Sequence, residues 1–413
     1  MNFNKLFSDA TSEVVAILDR SLEGRELSEE QGAALLRAEG ADLYALMRVA
    51  DRARRDDTGD DISFVINRNM NFTNVCYVGC SFCGFARHKD DSDAYDHPME
   101  VLIEKARGAI ARGATEVCIQ GGIHPNKDHT HYREILIALK REFPDLHIHA
   151  FSPEEVDFGH RKSGMELHDY LRWLVDAGLG TMPGTAAEIL DDEVRDILCP
   201  DKLKTAQWLE VMETAHRVGF QTTTTIMYGH IDAPRNWARH LMRLRELQSR
   251  TGGFTEFVPL PFVHMEAPIY LKGRARKGPT FREAILTHAV ARLVLHPHIQ
   301  NIQASWVKMG REGIKACLRA GVNDLGGTLM NESITRAAGS EHGQELGPAE
   351  MEDLIRSCGR TPRQRTTTYG EVPSERITAS FEAGELTPPI NEVATAYERQ
   401  GTAPAALVRP GFD

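Results

Sequence analysis

The stretch NFTNVCYVGCSFCGFAR, Asn71–Arg87, sets Cys76, Cys80 and Cys83 within eight residues, while only four more cysteines are spread over the rest of the 413-residue chain. What lies on either side of it decides the fold. Upstream, residues 10–56 carry apolar side chains at helical spacing (Val14, Val15, Leu18; Leu35, Leu36; Leu43, Leu46, Met47) without strand-like alternation. That spacing predicts a small helical cap over 1–60. From about Ser63 onward the pattern changes to short apolar or β-branched runs separated by amphipathic stretches, the signature of an α/β chain.

Eight such runs are predicted strands: NFTNV (71–75), EVCIQGG (116–122), LHIHAFS (146–152), GLGTMPG (178–184), QTTTTIMYG (221–229), EFVPLPF (256–262), NIQASWVKMG (301–310) and VNDLGG (322–327). Helical segments lie between them, such as HYREILIALKREF, in which Ile135, Leu136, Leu139 and Phe143 share a face. Eight alternations over about 265 residues suit a (β/α)8 TIM-type barrel spanning 61–330, whose chemistry sits on loops at the carboxyl ends of the strands. A doubly wound open sheet is the alternative. Residues 331–413 are expected to form a C-terminal extension wrapping the barrel. Beyond Gly370 that extension carries Pro373, Pro388, Pro389, Pro404 and Pro410 with weak periodicity, which predicts extended or partly disordered chain.

Acidic residues outnumber basic ones 59 to 48, a formal net charge of −11. That balance argues against nucleic acid or an anionic membrane as the main partner. The start, MNFNKLFSDATSEVV, has neither a basic leader with an apolar core nor a long uncharged run, so a cytoplasmic location is expected. In a reducing compartment disulfides are disfavoured, and Cys118, Cys199, Cys317 and Cys358 read as small buried hydrophobes.

The cysteine triplet needs another explanation. Its position after the first predicted strand puts it on the catalytic rim, and Gly79 relaxes the turn so that three thiolates can converge. Two centres compete. A structural zinc site, and with it a non-catalytic stapled protein, would close its tetrahedron with a fourth ligand, for which His88 is the nearest candidate. An iron–sulfur cluster usually takes four cysteines, so three would leave one iron with an open position.

A Cx3Cx2C triplet behind a first barrel strand, with Phe82 just before the last cysteine, resembles the radical S-adenosylmethionine (SAM) superfamily. The likeness continues through INRNMNFTNVC, EVCIQGGIHP, HIHAFSPEE, MPGTAAEILDDEVR, TTTTIMYGHID, TGGFTEFVPLPF, NIQASWVKMG and NDLGGTLMNESI. In that order they resemble the second-subunit (CofH) family of FO synthase, over roughly residues 60 to 370. Aminofutalosine synthase and dehypoxanthine futalosine cyclase of menaquinone biosynthesis share parts of these motifs. Gly84 and Gly180 depart from the pattern, where Ala and Asp are more usual.

The resemblance implies one 4Fe-4S cluster on Cys76, Cys80 and Cys83, with SAM on its open iron and cleaved there to a 5′-deoxyadenosyl radical. It implies transfer of the 4-hydroxybenzyl group of L-tyrosine to 5-amino-6-(D-ribitylamino)uracil, with release of 2-iminoacetate, on the route to a deazaflavin. A single cysteine triplet implies that a separate CofG-type subunit closes the deazaflavin ring, and an electron donor protein is also expected. Near the cofactor, Phe82, Gly121, Gly122, His124 and Glu188 are its candidates. The glycines could admit SAM's methionine end or simply turn the chain, His124 could touch ligand or cap a turn, and Glu188 could accept both ribose hydroxyls or be a helix-start acid. For substrate, strand alternation puts Thr223 and Thr225 on one face, with Tyr228 and His230 at the strand end. Gln303 and Trp306 on the seventh strand, and Asn323 and Asp324 opening the eighth, offer amide and carboxylate groups to a uracil, or serve packing and loop capping.

Overall fold

The computed structural model describes residues 7–384. Three helices open the chain, α1 (Ser12–Leu22), α2 (Glu29–Leu35) and α3 (Gly40–Thr58). Ser28 caps α2 reciprocally with Gln31, which satisfies two backbone N–H groups that a helix start leaves orphaned. This cap packs α2 on the helix Pro234–Thr251 and α3 on the helix Phe281–Leu295.

Parallel strands follow: β1 (Asp61–Val65), β2 (Asn67–Met70), β3 (Glu116–Ile119), β4 (His147–Ala150), β5 (Thr222–Tyr228), β6 (Phe254–Pro261), β7 (Asp324–Gly327) and β8 (Thr361–Gln364). They form three short sheets, β7-β1-β8, β2-β3-β4 and β5-β6. Single parallel bridges, His149–Thr181, Met182–Thr222, Phe257–Ile302 and Gln303–Asp324, connect the sheets. Followed through these bridges, the pairing passes from β2 around to β7 and returns to β1, the circuit of a TIM-type fold. Outward-facing Ile62, Phe64, Val117, Ile119, Ile148, Ile226 and Phe257 are buried beneath the helices, and this shell is the main apolar core.

Several expected boundaries move. The first strand is Asp61–Met70, interrupted at Ile66, and Asn71–Val75 is loop. The segment does not read as a continuous apolar run because its inward positions Ser63, Asn67 and Asn69 are polar. The fourth and seventh runs shrink to the bridges at Thr181–Met182 and Ile302–Gln303, and Trp306–Cys317 is already helix. β8 pairs with β1 from inside the expected extension. Ser374–Glu382, read as extended or disordered chain, is a helix docked on the barrel, with Arg376 Nη1 donating to the Ile110 carbonyl at 3.0 Å. The expectation for 385–413 lies outside the described residues. Among the described residues no helix is long and apolar enough to cross a membrane.

Candidate active site

The cysteine loop leaves β2 at the carboxyl edge of the strands and is tied down at many points. Cys76 N–H donates to the Arg87 carbonyl at 3.0 Å, and Cys83 N–H to the Cys80 carbonyl at 3.2 Å. Gly79 turns the loop at φ +69°, a conformation that costs other residues strain. Ser81 donates to the Leu198 carbonyl through both N–H (3.0 Å) and Oγ (2.7 Å). Buried Arg87 clamps the far end, its Nη1 donating to the carbonyls of Gly84 (2.9 Å), Phe85 (3.2 Å) and Ala86 (2.9 Å), while Nε reaches Asp93 at 2.7 Å. Spacing had not pointed to Arg87, since its partners are backbone carbonyls.

Cys76, Cys80 and Cys83 line one cavity of about 400 Å³. Burial pushes the Cys80 and Cys83 thiols up, and backbone N–H groups of Ala86 and Phe85 aimed at Cys83 work in the opposite direction. Sulfurs so placed suit thiolate ligation, because a bound metal replaces the proton and the N–H groups remain as outer-shell donors. Among the described residues no three His, Cys, Asp or Glu side chains form a group that could hold one metal ion.

Phe82, Gly121, Gly122 and Glu188 line the same cavity. Gly122 has a packing duty: a Cβ would lie 2.2 Å from the Val75 carbonyl oxygen, and its N–H donates to the Thr73 carbonyl at 2.8 Å, so it seats the cysteine loop. His124 lies outside the lining and accepts from Asn126 N–H at 3.1 Å, a turn-capping contact. Glu188 pairs with Lys202 at 2.7 Å, and the Lys202 ammonium stands 5.5 Å over the Phe82 ring. Lys202 was not legible as a site residue because only the fold brings it to Glu188.

Glu155 is a second residue that sequence reasoning missed, although Ser152-x-x-Glu155 is a capping-box signature. Its carboxylate accepts from Ser152 N–H (2.6 Å), Ser152 Oγ (2.7 Å) and Gly121 N–H (3.0 Å), joining the helix Pro153–Ser163 to the glycine turn. Burial pushes its carboxyl up to about 7 despite these donors. A folded-state value raised above the unfolded one makes this group lower stability as pH climbs from about 4.5 through 7, because the unfolded chain gives up its proton first. Glu155→Gln lacks that contribution. Its thermal midpoint is therefore expected to gain on the parent between pH 5 and pH 8, and a constant difference across that range would refute the assignment.

On the substrate side Thr223, Thr225 and Gln303 line the cavity. Thr223 Oγ1 accepts from Gly184 N–H at 3.0 Å and Thr225 Oγ1 donates to the Gly184 carbonyl at 2.7 Å. Tyr228, His230, Trp306, Asn323 and Asp324 are not in the lining. Tyr228 falls on the opposite face of β5 and meets Trp237 edge-on at 5.3 Å, as alternation requires. His230 Nε2 contacts the Met227 carbonyl at 3.0 Å, and Trp306 Nε1 donates to the Gly327 carbonyl at 2.8 Å. Asn323 accepts from Arg292 at 2.6 Å and from Ile302 N–H at 2.9 Å.

Asp324 belongs to a polar network on the cavity floor. Arg365, delivered by β8, donates to Asp324 through Nε (2.6 Å) and Nη2 (2.9 Å) and to Glu256 through Nη2 (3.0 Å). The Tyr369 hydroxyl also donates to Glu256. Glu256, Arg365, Thr367, Glu116 and His149 line the cavity here, giving a deep polar end beneath the cysteine rim.

With this geometry in place, comparison with known proteins is direct. The family model for the radical SAM superfamily matches residues 70–244, and that for the CofH/MqnC C-terminal region matches 251–376. The chain is 53% identical over 342 residues to the FO synthase of Mycobacterium leprae, covering 83% of this chain and 40% of that protein. It spans about two fifths of the FO synthases it matches, because the Streptomyces coelicolor protein, 51% identical over 355 residues, is likewise covered to 41%. By contrast, it covers 93% of the 5-amino-6-(D-ribitylamino)uracil–L-tyrosine 4-hydroxyphenyl transferase of Methanopyrus kandleri, at 51% identity over 344 residues and 83% of this chain. Among solved structures, the FeFe-hydrogenase maturase HydG of Carboxydothermus hydrogenoformans aligns with TM-score 0.68 at 17% identity, covering 89% of this chain and 82% of that one. Methylornithine synthase (PylB) aligns with TM-score 0.64 at 18% identity, covering 84% and 97% respectively. At such identity these two speak for the fold alone.

Proposed function

Because the chain belongs to the radical SAM superfamily, and within it to the family of the Methanopyrus kandleri transferase, we propose that it moves the 4-hydroxybenzyl group of L-tyrosine to 5-amino-6-(D-ribitylamino)uracil. One observation carries the reading: the cysteine triplet, the Glu188–Lys202 pair and the hydroxyl and amide groups of Thr223, Thr225 and Gln303 all line one cavity. Cys76, Cys80 and Cys83 would hold a 4Fe-4S cluster, which with SAM bound supplies the reductive cleavage that generates an organic radical.

The chain's own work is to bind, orient and exclude water. Gly121 and Gly122 keep backbone close to the cysteine loop, and Phe82 with Lys202 and Glu188 forms the wall beside it. Glu188 accepts from Lys202 through one oxygen and keeps acceptor capacity for ligand hydroxyls. Thr223, Thr225 and Gln303, together with the polar floor, suit a ribityl chain and a pyrimidine. We place deazaflavin ring closure on a CofG-type protein or segment outside this sequence, since the sequence carries one such triplet. A cytoplasmic setting with an electron donor protein completes the proposal.

Anaerobically reconstituted protein given SAM, reductant, tyrosine and the diaminouracil is expected to yield 5′-deoxyadenosine and a benzylated adduct. Deoxyadenosine without adduct, under any tyrosine concentration, would redirect the reading to the menaquinone-route relatives.

A further inference from the structure

Lys202, Lys308 and Arg365 are the lysine and arginine side chains lining the cavity. Two of them are neutralised by protein. Lys202 stands 2.7 Å from Glu188, and Arg365 is shared between Asp324 and Glu256 at 2.6 Å and 3.0 Å. Lys308 differs: among the described residues no carboxylate lies within ion-pair distance of its ammonium and no hydrogen bond takes it up. The two carboxylates that influence it, Glu332 and Glu188, act only through space, and burial is the larger effect, pushing the ammonium down. Glu332 is committed elsewhere, accepting from Thr335 N–H at 2.7 Å and from Arg336 N–H at 3.2 Å.

A cation set in a cavity wall without a counter-ion is costly unless an anion arrives with the ligand. Lys308 follows the seventh strand position, beside Ser305 and Thr335, whereas the Lys202–Glu188 pair beside the cysteine triplet belongs to the fourth. An anionic group bound at Lys308 is therefore held from a strand position other than the one that carries that pair, with Glu188 acting on the ammonium only through space. Resting on the function proposed above, we infer that Lys308 anchors the carboxylate of the amino-acid substrate. The aromatic end is then left to extend into the remaining cavity, and substrates lacking a carboxylate are discriminated against. SAM also carries a carboxylate, so the test separates the two sources.

Cluster-loaded protein without reductant, which binds but does not turn over, is titrated calorimetrically with L-tyrosine in the presence of SAM, with tyramine in the presence of SAM, and with SAM alone. For Lys308→Met the expected result is roughly 10- to 100-fold weaker tyrosine binding, the value of a charge-assisted contact. Tyramine and SAM binding should be unchanged. Lys308→Arg should recover part of the tyrosine affinity. Because the ammonium has no ion-pair partner among the described residues to lose, Lys308→Met should melt at or above the parent temperature. Loss of SAM affinity with tyrosine unaffected would assign the lysine to the cofactor and overturn the inference. Equal tyrosine affinity in parent and variant would overturn it while leaving the proposed function intact. A parent that binds no tyrosine would sink both.

Discussion

Cys80→Ser, reconstituted anaerobically with iron and sulfide, is expected to remain pale and to form no 5′-deoxyadenosine above the no-enzyme background. Loss of a single outer-shell partner typically weakens a metal site about 10- to 100-fold, and loss of a ligand from a set of three goes well beyond that. Serine is the informative replacement because it keeps the size and the turn. Cys80 lies in a small apolar cluster with Leu198, Phe262 and Ile269, and the loop is held by backbone contacts that the side chain does not make, such as Ser81 to Leu198 and Ile269 N–H to the Ser81 carbonyl at 2.7 Å. Folding should therefore survive, with a thermal midpoint close to the parent's. A variant that loads iron to the parent level and shows the parent's visible spectrum would show that Cys80 is not a ligand.

Arg365→Leu is expected to be strongly destabilising. The guanidinium is 3% exposed and its two partners, Asp324 and Glu256, are 0% and 10% exposed. Removing it strands two carboxylates where water cannot reach them freely, a loss of about 3–5 kcal/mol. For a chain of this size, with about 2.1 cal/mol/K of unfolding entropy per residue, that corresponds to roughly 3–6 °C in melting temperature. The deficit also has a pH signature. Burial pushes the Glu256 carboxyl up to about 7 even with Arg365 present to oppose it, so without the arginine it holds its proton to higher pH still. At pH 5 Glu256 is neutral in both proteins and the deficit is smaller. It grows as pH rises through 7, where the parent ionises Glu256 against Arg365 and the variant cannot. Arg365→Lys, which keeps charge but not the two-pronged contact with Asp324, should fall between. Melting curves that coincide at pH 8 would show that the C-terminal strand does not hold the barrel floor.

Cys76, Cys80 and Cys83, at a spacing that only a tight loop can satisfy, were legible from the chain alone. So was the inward face of β5, where strict alternation separates Thr223 and Thr225 from Tyr228. The N-terminal helices and Thr130–Glu142 were legible too, because a 3.6-residue period is a local signal, whereas Trp306–Cys317 and Ser374–Glu382 were not. The first strand begins at Asp61, ten residues before the NFTNV run, because its polar inward positions interrupt the continuous apolar run that marks the other buried strands.

Local order of this kind is what the sequence by itself determined: most helical segments, the inward face of β5, and where three thiols gather. Only the tertiary structure decided which charges meet. Lys202 reaches Glu188 across 14 residues, Arg365 reaches Asp324 across 41 and Glu256 across 109, and Lys308 is left without an ion-pair partner among the described residues. Such pairings leave no periodic mark on the chain, because each depends on the barrel bringing distant strands to one axis, and burial then turns an ordinary acid or base into one whose partner matters.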